Sequence, residues 1–271
     1  MNDVIRKILF SILIVLLVLV IFGVTFNLVF RTISYSFYKN ALPFSEVDEY
    51  VDEFTIGDKQ KLTGYERNTH AESETPMKAI IFFGGSSDIA YNATLKYASL
   101  FDEYAFFCID YPGIQNSDGE MNLKSMQKGA IKVYDYVSKL DYIDSGNIYV
   151  IGYSFGSGIA TYLASERTCK KLVLAAPYPD VKELYNQIIP IFHSPFGWFV
   201  TDNIDAKEYA KLVDEEVLIV VSNDDKSINS KVQKSMANYF TNSKIVDFTG
   251  IGHDKYFEDR NVVDAILEYI K

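Results

Sequence analysis

The chain has 271 residues, of which 48% are hydrophobic, and a formal net charge of −10. A chain of this length and composition can bury the core of one α/β domain. Its acidic residues are spread along the chain and its Lys and Arg residues form no cluster, which excludes nucleic acid as a partner. Its two cysteines, Cys108 and Cys169, have no metal-ligand spacing and are expected to be buried free thiols. The sequence therefore indicates no metal and no organic cofactor.

The first predicted element is an uncharged, mostly apolar segment, residues 8–30, which lies between Lys7 and Arg31. At about 1.5 Å per residue, a helix of this length crosses a hydrocarbon core of about 30 Å. A cleaved signal peptide would have a shorter apolar region, of about 7–15 residues, and a small-residue cleavage site, which is not evident here. The segment predicts a single-pass membrane anchor after an N-terminal flank, residues 1–7.

The residues around this anchor predict its placement. Aromatic residues near its far end are typical of a belt at a membrane interface: Phe26, Phe30, Tyr35, Phe37 and Tyr38. The basic residues on the two sides are nearly balanced, and we favour the amino terminus inside and the catalytic domain on the extracytoplasmic side. Residues 31–50 become acidic and contain Pro43, so we expect a linker between the bilayer and a domain over residues 51–271.

The domain is predicted to begin with two short strands, residues 54–56 and 61–66, at an antiparallel edge of a sheet. Buried apolar runs then predict six further strands: residues 78–83, 104–110, 148–151, 171–175, 217–221 and 244–248. Segments with helical spacing lie between them, which predicts parallel pairing with right-handed crossovers. The expected fold class is α/β, a mostly parallel sheet with helices on both faces.

The segment 148–158, Ile-Tyr-Val-Ile-Gly-Tyr-Ser-Phe-Gly-Ser-Gly, joins a buried strand to a helix through the pattern Gly-x-Ser-x-Gly. In such a turn the serine, Ser154, has a strained backbone, and glycines are needed on either side because a side chain would strike the strand or the helix. The serine hydroxyl then lies at the carboxyl end of the strand, where open α/β sheets bind ligands. The N–H groups that open the next helix, beginning with Phe155, face the group that Ser154 attacks.

Two later loops contain groups that can activate a serine. One follows the strand 217–221 and contains Asp224 and Asp225, and the other follows the last strand and contains His253 between Gly252 and Asp254. A histidine in a glycine-rich loop after a strand is poorly explained as a core residue. We therefore predict His253 as a general base and an aspartate of the earlier loop as the carboxylate that holds its tautomer.

A long segment, residues 178–211, separates two of the predicted strands. It is rich in aromatic residues and is interrupted by prolines, and long insertions in compact domains are commonly lids. We expect a cap over an apolar substrate pocket, with Phe192, Trp198 and Phe199 in contact with the substrate.

The motifs occur in an order that resembles the alpha/beta-hydrolase superfamily, and the resemblance covers nearly everything after about Val51. The matching segments are 82–86, 110–113, 152–156, 222–225 and 252–254. Within the superfamily, the chain is most similar to membrane-anchored serine hydrolases of the monoacylglycerol-lipase-like and depalmitoylase-like kinds. The order Ser, Asp, His along the chain is that of this superfamily.

The resemblance implies particular site residues. The loop after the first parallel strand supplies one oxyanion N–H in the family, which falls on Gly85 here, beside the N–H of Phe155. The register against the family favours Asp225 over Asp224 as the triad acid. Asp110 occupies a position that orders its loop and does not orient the histidine.

The predicted function is a membrane-anchored serine hydrolase that cleaves a carboxylic ester or thioester through an acyl-enzyme on Ser154. The anchor and the aromatic cap favour a small-molecule or lipid-like acyl substrate. The same triad would serve a serine peptidase, an amidase or an acyltransferase. A membrane-tethered binding module that has kept the fold without the chemistry is a further alternative, and the oligomeric state stays open.

Overall fold

The computed structural model describes residues 3–70, 75–187 and 189–271. Residues 1–2 of the predicted flank and residue 188 of the predicted cap lie outside this described part. The eight strands, in chain order, are β1 (Val51–Ile56), β2 (Leu62–Arg67), β3 (Met77–Phe83), β4 (Ala105–Ile109), β5 (Ile143–Tyr153), β6 (Leu172–Ala175), β7 (Val217–Ser222) and β8 (Ser243–Phe248).

These strands form one sheet in the order β1-β2-β4-β3-β5-β6-β7-β8. β1 and β2 pair antiparallel, β2 pairs antiparallel with β4, and all later pairs are parallel. The predicted α/β class with an antiparallel edge is confirmed. Almost every residue of β3, β4, β6 and β7 is buried, which explains why these strands are continuous apolar runs without alternation.

Helices precede, connect and follow the strands, and several of them pack on the sheet. They are α1 (Asp3–Asn40), α2 (Ala90–Tyr97), α3 (Leu123–Val137), α4 (Phe155–Glu166), α5 (Val181–Asn186), α6 (Ala206–Ala210), α7 (Ser230–Ser235) and α8 (Arg260–Ile270). Local sequence sets several of their boundaries. For example, Asn122 and Ser125 form a reciprocal capping box that starts α3.

The N-terminal helix α1 is long and apolar enough to be a candidate membrane span. It extends ten residues beyond the predicted end of the anchor at Phe30, into the segment expected to be a linker. The cause is tertiary packing, because Ser34, Tyr35 and Tyr38 are buried against the domain. Three residues predicted to lie in an interfacial aromatic belt, Phe30, Tyr35 and Tyr38, are buried against protein in this structure.

The segment after β6 contains α5, a short 3-10 helix (Pro195–Phe199) and α6. Its aromatic side chains pack on α1, where the ring of Phe192 lies 5.6 Å from that of Phe30 and 6.3 Å from that of Phe26. The cap and the N-terminal helix therefore form one packed unit.

Candidate active site

Ser154 lies in a tight turn between β5 and α4, with φ 50° and ψ −122°. A positive φ is unfavourable for a residue with a side chain, so the turn must be held by its surroundings. A Cβ at position 156 would strike the backbone oxygens of Phe83 and Gly84, and one at position 152 would lie 2.5 Å from the side chain of Ala160. The glycines of the Gly-x-Ser-x-Gly pattern are thus required by close approach of the backbone.

Three side chains that are distant in the sequence meet at the carboxyl ends of β5, β7 and β8. The Oγ atom of Ser154 lies 2.8 Å from Nε2 of His253, and Nδ1 of the same ring lies 2.8 Å from Oδ2 of Asp225. The neighbouring Asp224 does not take part, since its carboxylate accepts a hydrogen bond of 2.6 Å from the N–H of Gly250. Of the two candidate aspartates, Asp225 is therefore the one in contact with the imidazole.

The carboxylate of Asp225 is fully buried and well supplied with hydrogen-bond donors. Its Oδ1 accepts from the N–H groups of Ser227 and Ile228, and its Oδ2 accepts from the side chain of Gln233. Burial alone would raise its pKa, but the hydrogen bond and charge of His253 and these N–H groups hold the pKa of Asp225 below its ordinary value. The group is an anion that can stabilise an imidazolium.

Two tyrosines fix the parts of this hydrogen-bonded chain. The hydroxyl of Tyr153 donates to the backbone carbonyl of His253, and the hydroxyl of Tyr256 lies 3.2 Å from Oδ2 of Asp225. Sequence reasoning missed Tyr256 and Gln233. Gln233 lies on α7, away from the motifs, and Tyr256 follows the His253 motif but has the pattern of an ordinary core residue, so no sequence signal marked either residue.

The two amides expected to bind an oxyanion differ in their surroundings. Phe155 is the first residue of α4, where a helix leaves its N–H groups without intrahelical partners. In contrast, the N–H of Gly85 donates to Oδ2 of Asp88 at 2.9 Å. Gly85 was predicted to donate to the oxyanion, and in this structure its N–H is bound by a carboxylate three residues later.

Asp88 is itself nearly buried, with Nζ of Lys96 at 3.5 Å from its Oδ1. Burial raises the pKa of this carboxyl, while the Lys96 charge and the Gly85 N–H act in the opposite direction. Both residues line a cavity of about 280 Å³ that also contains Ser154 and His253. The surroundings of the serine are therefore polar and contain both signs of charge.

The three cap residues expected to contact substrate lie elsewhere. Phe192, Trp198 and Phe199 are not among the residues that line the cavity at Ser154. They pack on or beside α1, as does much of the aromatic cap, because apolar residues of that helix such as Phe22 and Phe26 face the cap. His193, also in the cap, contacts Glu183 at 2.6 Å.

Aromatic rings surround the buried side chain of Phe155, the residue after Ser154. Rings of Tyr35 and Tyr38, both from α1, and of Tyr111 lie 5.8–6.5 Å from it. Tyr38 is 1% exposed. The N-terminal helix thus buries the residue that follows Ser154.

Comparisons with known proteins agree with this fold. A family model described as the alpha/beta hydrolase fold matches residues 83–215. Among solved structures, Est1E from Butyrivibrio proteoclasticus has a TM-score of 0.61 at 22% identity and covers 80% of this chain and 97% of its own. The Pyrococcus furiosus esterase Pf2001 has a TM-score of 0.64 at 14% identity, with coverage of 85% and 97%. At these identities the likeness shows the fold alone.

Fold, motif order and family match define the class: the chain has the alpha/beta-hydrolase fold. Among curated proteins, it is 25% identical over 171 residues to lysophosphatidylserine lipase ABHD12 of Danio rerio, which covers 57% of this chain and 43% of that protein. The uncharacterized protein R595 of Acanthamoeba polyphaga mimivirus is 26% identical over 64% of this chain and 66% of its own. The chain thus spans less than half the length of the lipase relative.

Proposed function

We propose that the protein is a membrane-anchored serine hydrolase that cleaves carboxylic esters or thioesters through an acyl-enzyme on Ser154. The observation that carries the proposal is the continuous hydrogen-bonded chain from Ser154 through His253 to Asp225, with both contacts at 2.8 Å. A hydroxyl, an imidazole and a buried carboxylate in this order are the parts that nucleophilic acyl transfer requires.

In the first half of the proposed reaction, Oγ of Ser154 attacks the acyl carbonyl carbon while Nε2 of His253 takes the hydroxyl proton. Asp225 stabilises the imidazolium that forms. The N–H of Phe155 donates to the carbonyl oxygen as it becomes negative. His253 then gives the proton to the departing oxygen or sulfur, and the acyl group stays on the serine.

In the second half, water takes the place of the leaving group. His253 removes a proton from the water as its oxygen attacks the acyl-enzyme, and the tetrahedral intermediate collapses to release the carboxylic acid and the serine hydroxyl. Gly85 can add a second oxyanion donor only when its N–H leaves Asp88. The N–H of Phe155 is therefore the principal donor in this proposal.

The proposed substrate has a hydrophobic acyl chain and a polar leaving group. The polar cavity beside Ser154 suits the leaving group, since Lys96 and two carboxylates, Asp88 and Asp254, line it. The name of the lipase relative supports a lipid-like ester. The long apolar helix supports a substrate that is present in a membrane.

The proposed topology is a single pass with the amino terminus inside and the hydrolase domain on the extracytoplasmic side. Arg6 and Lys7 follow the amino terminus, and basic residues are enriched on the cytoplasmic side of membrane spans. Protease treatment of sealed membranes tests this arrangement: the domain should be digested in intact cells or right-side-out vesicles. Protection there would place the domain inside.

The hydrolase is tested by labelling the purified full-length protein with a fluorophosphonate, which reacts with activated serines. Labelling is expected for the wild type and should be lost in Ser154→Ala, with Ser157→Ala as the matched control in the same turn. A wild-type Ser154 that stays unlabelled would support the binding-module alternative. Hydrolysis of p-nitrophenyl esters of increasing chain length then tests the substrate class, and a preference for acetate would contradict a lipid-like substrate.

A further inference from the structure

A second apolar site lies outside the hydrolase cavity, between the N-terminal helix and the cap. It is a groove of about 360 Å³. Leu16, Leu19, Val20 and Gly23 of α1 form one side, and Trp198 and Phe199 of the cap form the other. Trp198 is 82% exposed, which is unusual for the largest apolar side chain.

The cap is in close contact with α1 at Gly23. A Cβ at Gly23 would lie 2.5 Å from the ring of Phe199, so the glycine allows the ring to touch the helix backbone. Phe22 adds an edge-on contact with the same ring, with centroids 5.4 Å apart. The groove is thus bounded by packed side chains on both sides.

Phe199 contacts α1 at Gly23, and the position of Gly23 along the helix places the cap side of the groove within the depth of one bilayer leaflet. Gly23 precedes Arg31, the first charged residue after the apolar stretch, by eight residues, which corresponds to about 12 Å of helix. The hydrocarbon half of a bilayer is about 15 Å thick. When α1 spans a membrane, Trp198 and Phe199 therefore lie beside acyl chains and not beside water.

The groove changes from apolar to polar towards the domain. At that end, the side chain of Asn27 donates to Oγ1 of Thr201 at 2.7 Å, and the N–H of Thr201 donates back to the Asn27 side chain. One turn further, Arg31 pairs with Asp202 at 2.9 Å. This order matches an amphiphile, with the chain alongside the apolar residues and the polar group near the Asn27 and Thr201 end.

The backbone of the cap is compatible with this depth. In the hydrocarbon region, N–H and C=O groups must be satisfied within the protein. The 3-10 helix that carries Trp198 does this in part through bonds from Gly197 N–H to the Ser194 carbonyl and from Val200 N–H to the Gly197 carbonyl.

We propose that the groove between α1 and the cap binds an acyl chain of a bilayer lipid, in the leaflet next to the hydrolase domain. The occupant is inferred from three features: the groove continues the exposed apolar surface of α1, its walls are mainly apolar, and its polar end, at Asn27 and Thr201, is the end nearer the headgroups. This inference depends on the proposed membrane anchoring and is independent of hydrolysis at Ser154.

The chain contains a single tryptophan, so its fluorescence reports on this groove directly. The full-length protein is reconstituted into phosphatidylcholine vesicles whose acyl chains carry bromine atoms, which quench tryptophan at short range. We expect strong quenching of Trp198 by chain-brominated lipid and little quenching by aqueous iodide. The reverse pattern, with iodide as the effective quencher, would overturn the proposal.

A matched pair of variants separates the groove from general lipid exposure. Val20 lines the groove and Val18 does not, although their exposed fractions are nearly equal, 61% and 58%. Two residues turn a helix by about 200°, so Val18 faces away. Val20→Phe should fill the groove and reduce quenching by brominated chains, whereas Val18→Phe should leave it unchanged. Equal quenching in both variants would contradict a chain bound in the groove.

Failure of this inference and failure of the proposed function give different results. Flotation of the protein with vesicles tests the anchor, and fluorophosphonate labelling tests Ser154. A protein that floats and is labelled, but whose Trp198 is not quenched by brominated chains, would refute only the groove.

Discussion

The ring of Tyr38, in the last turns of α1, packs on the ring of Phe155 with centroids 5.8 Å apart and an interplanar angle of 67°. Phe155 follows Ser154 directly, and its N–H is the proposed oxyanion donor. A helix that begins as a candidate membrane span therefore ends in contact with the residue next to the nucleophile. We therefore expect a change in the ring of Tyr38 to affect the position of Phe155 beside Ser154.

Tyr38→Ala should lower the free energy of unfolding by about 3–5 kcal/mol, the usual loss for a large buried aromatic side chain, and it should also lower kcat. Tyr38→Phe should retain most of both quantities, because the hydroxyl lies 3.5 Å from the Gly84 carbonyl, the limit for a hydrogen bond. Denaturant unfolding in detergent and ester hydrolysis measure the two effects. Equal losses in both variants would show that the hydroxyl matters more than the ring.

Asp225→Asn should reduce kcat by roughly 10⁴-fold, because an amide at this place favours the wrong imidazole tautomer and leaves the imidazolium without a counter-charge. Asp224→Asn is the matched control, since an asparagine oxygen can still accept the hydrogen bond from Gly250. It should hydrolyse esters at nearly the wild-type rate. If Asp224→Asn lost more activity than Asp225→Asn, the triad acid would be Asp224 and the assignment of Asp225 would be wrong.

The Asp88 carboxylate holds the loop that carries Gly85, so Asp88→Ala should lower kcat by roughly 10-fold to 100-fold through misplacement of that loop. Asp88→Asn keeps an oxygen that can accept from the Gly85 N–H and should be affected much less. Steady-state kinetics with one ester compare the two variants. A faster Asp88→Ala enzyme would mean instead that the carboxylate withholds the Gly85 amide from the oxyanion.

Asp110 should make stability depend on pH. Burial raises its pKa from 3.8 to about 7, although the Ala90 N–H acts in the opposite direction. Between about pH 4 and 7 the folded state keeps a proton that the unfolded state releases, so this residue lowers stability as pH rises through that window. The stability of Asp110→Asn relative to the wild type should increase over the same range, by up to about 4 kcal/mol.

Denaturant titrations of both proteins at several pH values measure this difference. It should be small near pH 4, grow up to about pH 7 and then level off. A difference that stays constant across the range would show that Asp110 is ionised throughout.

The positions of Ser154 and His253 could be predicted because both lie in glycine-rich loops that directly follow strands. Parallel strands bring their carboxyl ends to one edge of the sheet, so loops that are distant in the chain meet there. The predicted strands and the antiparallel edge follow from the same local patterns. To predict Asp225 as the triad acid, the alignment of the motifs with the family was also needed, because Asp224 and Asp225 lie side by side in the same loop and local pattern does not distinguish them.

The rest could not be predicted because it depends on contacts between distant segments. The N–H of Gly85 donates to Asp88 because a tight turn brings the two residues together. The sequence pattern does not show whether the Asp88 carboxylate is bound in this way or is solvated. Tyr35 and Tyr38 suit a membrane interface as well as a protein core, because amphipathic aromatic rings serve both. The aromatic cap predicts an apolar partner, but not that this partner is α1.

The length of α1 has a consequence for where the protein can act. Its 38 residues form one uninterrupted helix, about 57 Å long, of which the apolar stretch up to Phe30 suffices to cross a bilayer. Tyr38 then stands about 12 Å beyond that stretch and is locked to the hydrolase domain. Because this helix is continuous and packed on the domain, it would fix the distance of Ser154 from the hydrocarbon core of a membrane. The serine would then reach ester bonds at the level of the lipid headgroups and would not reach bonds buried deeper in the bilayer.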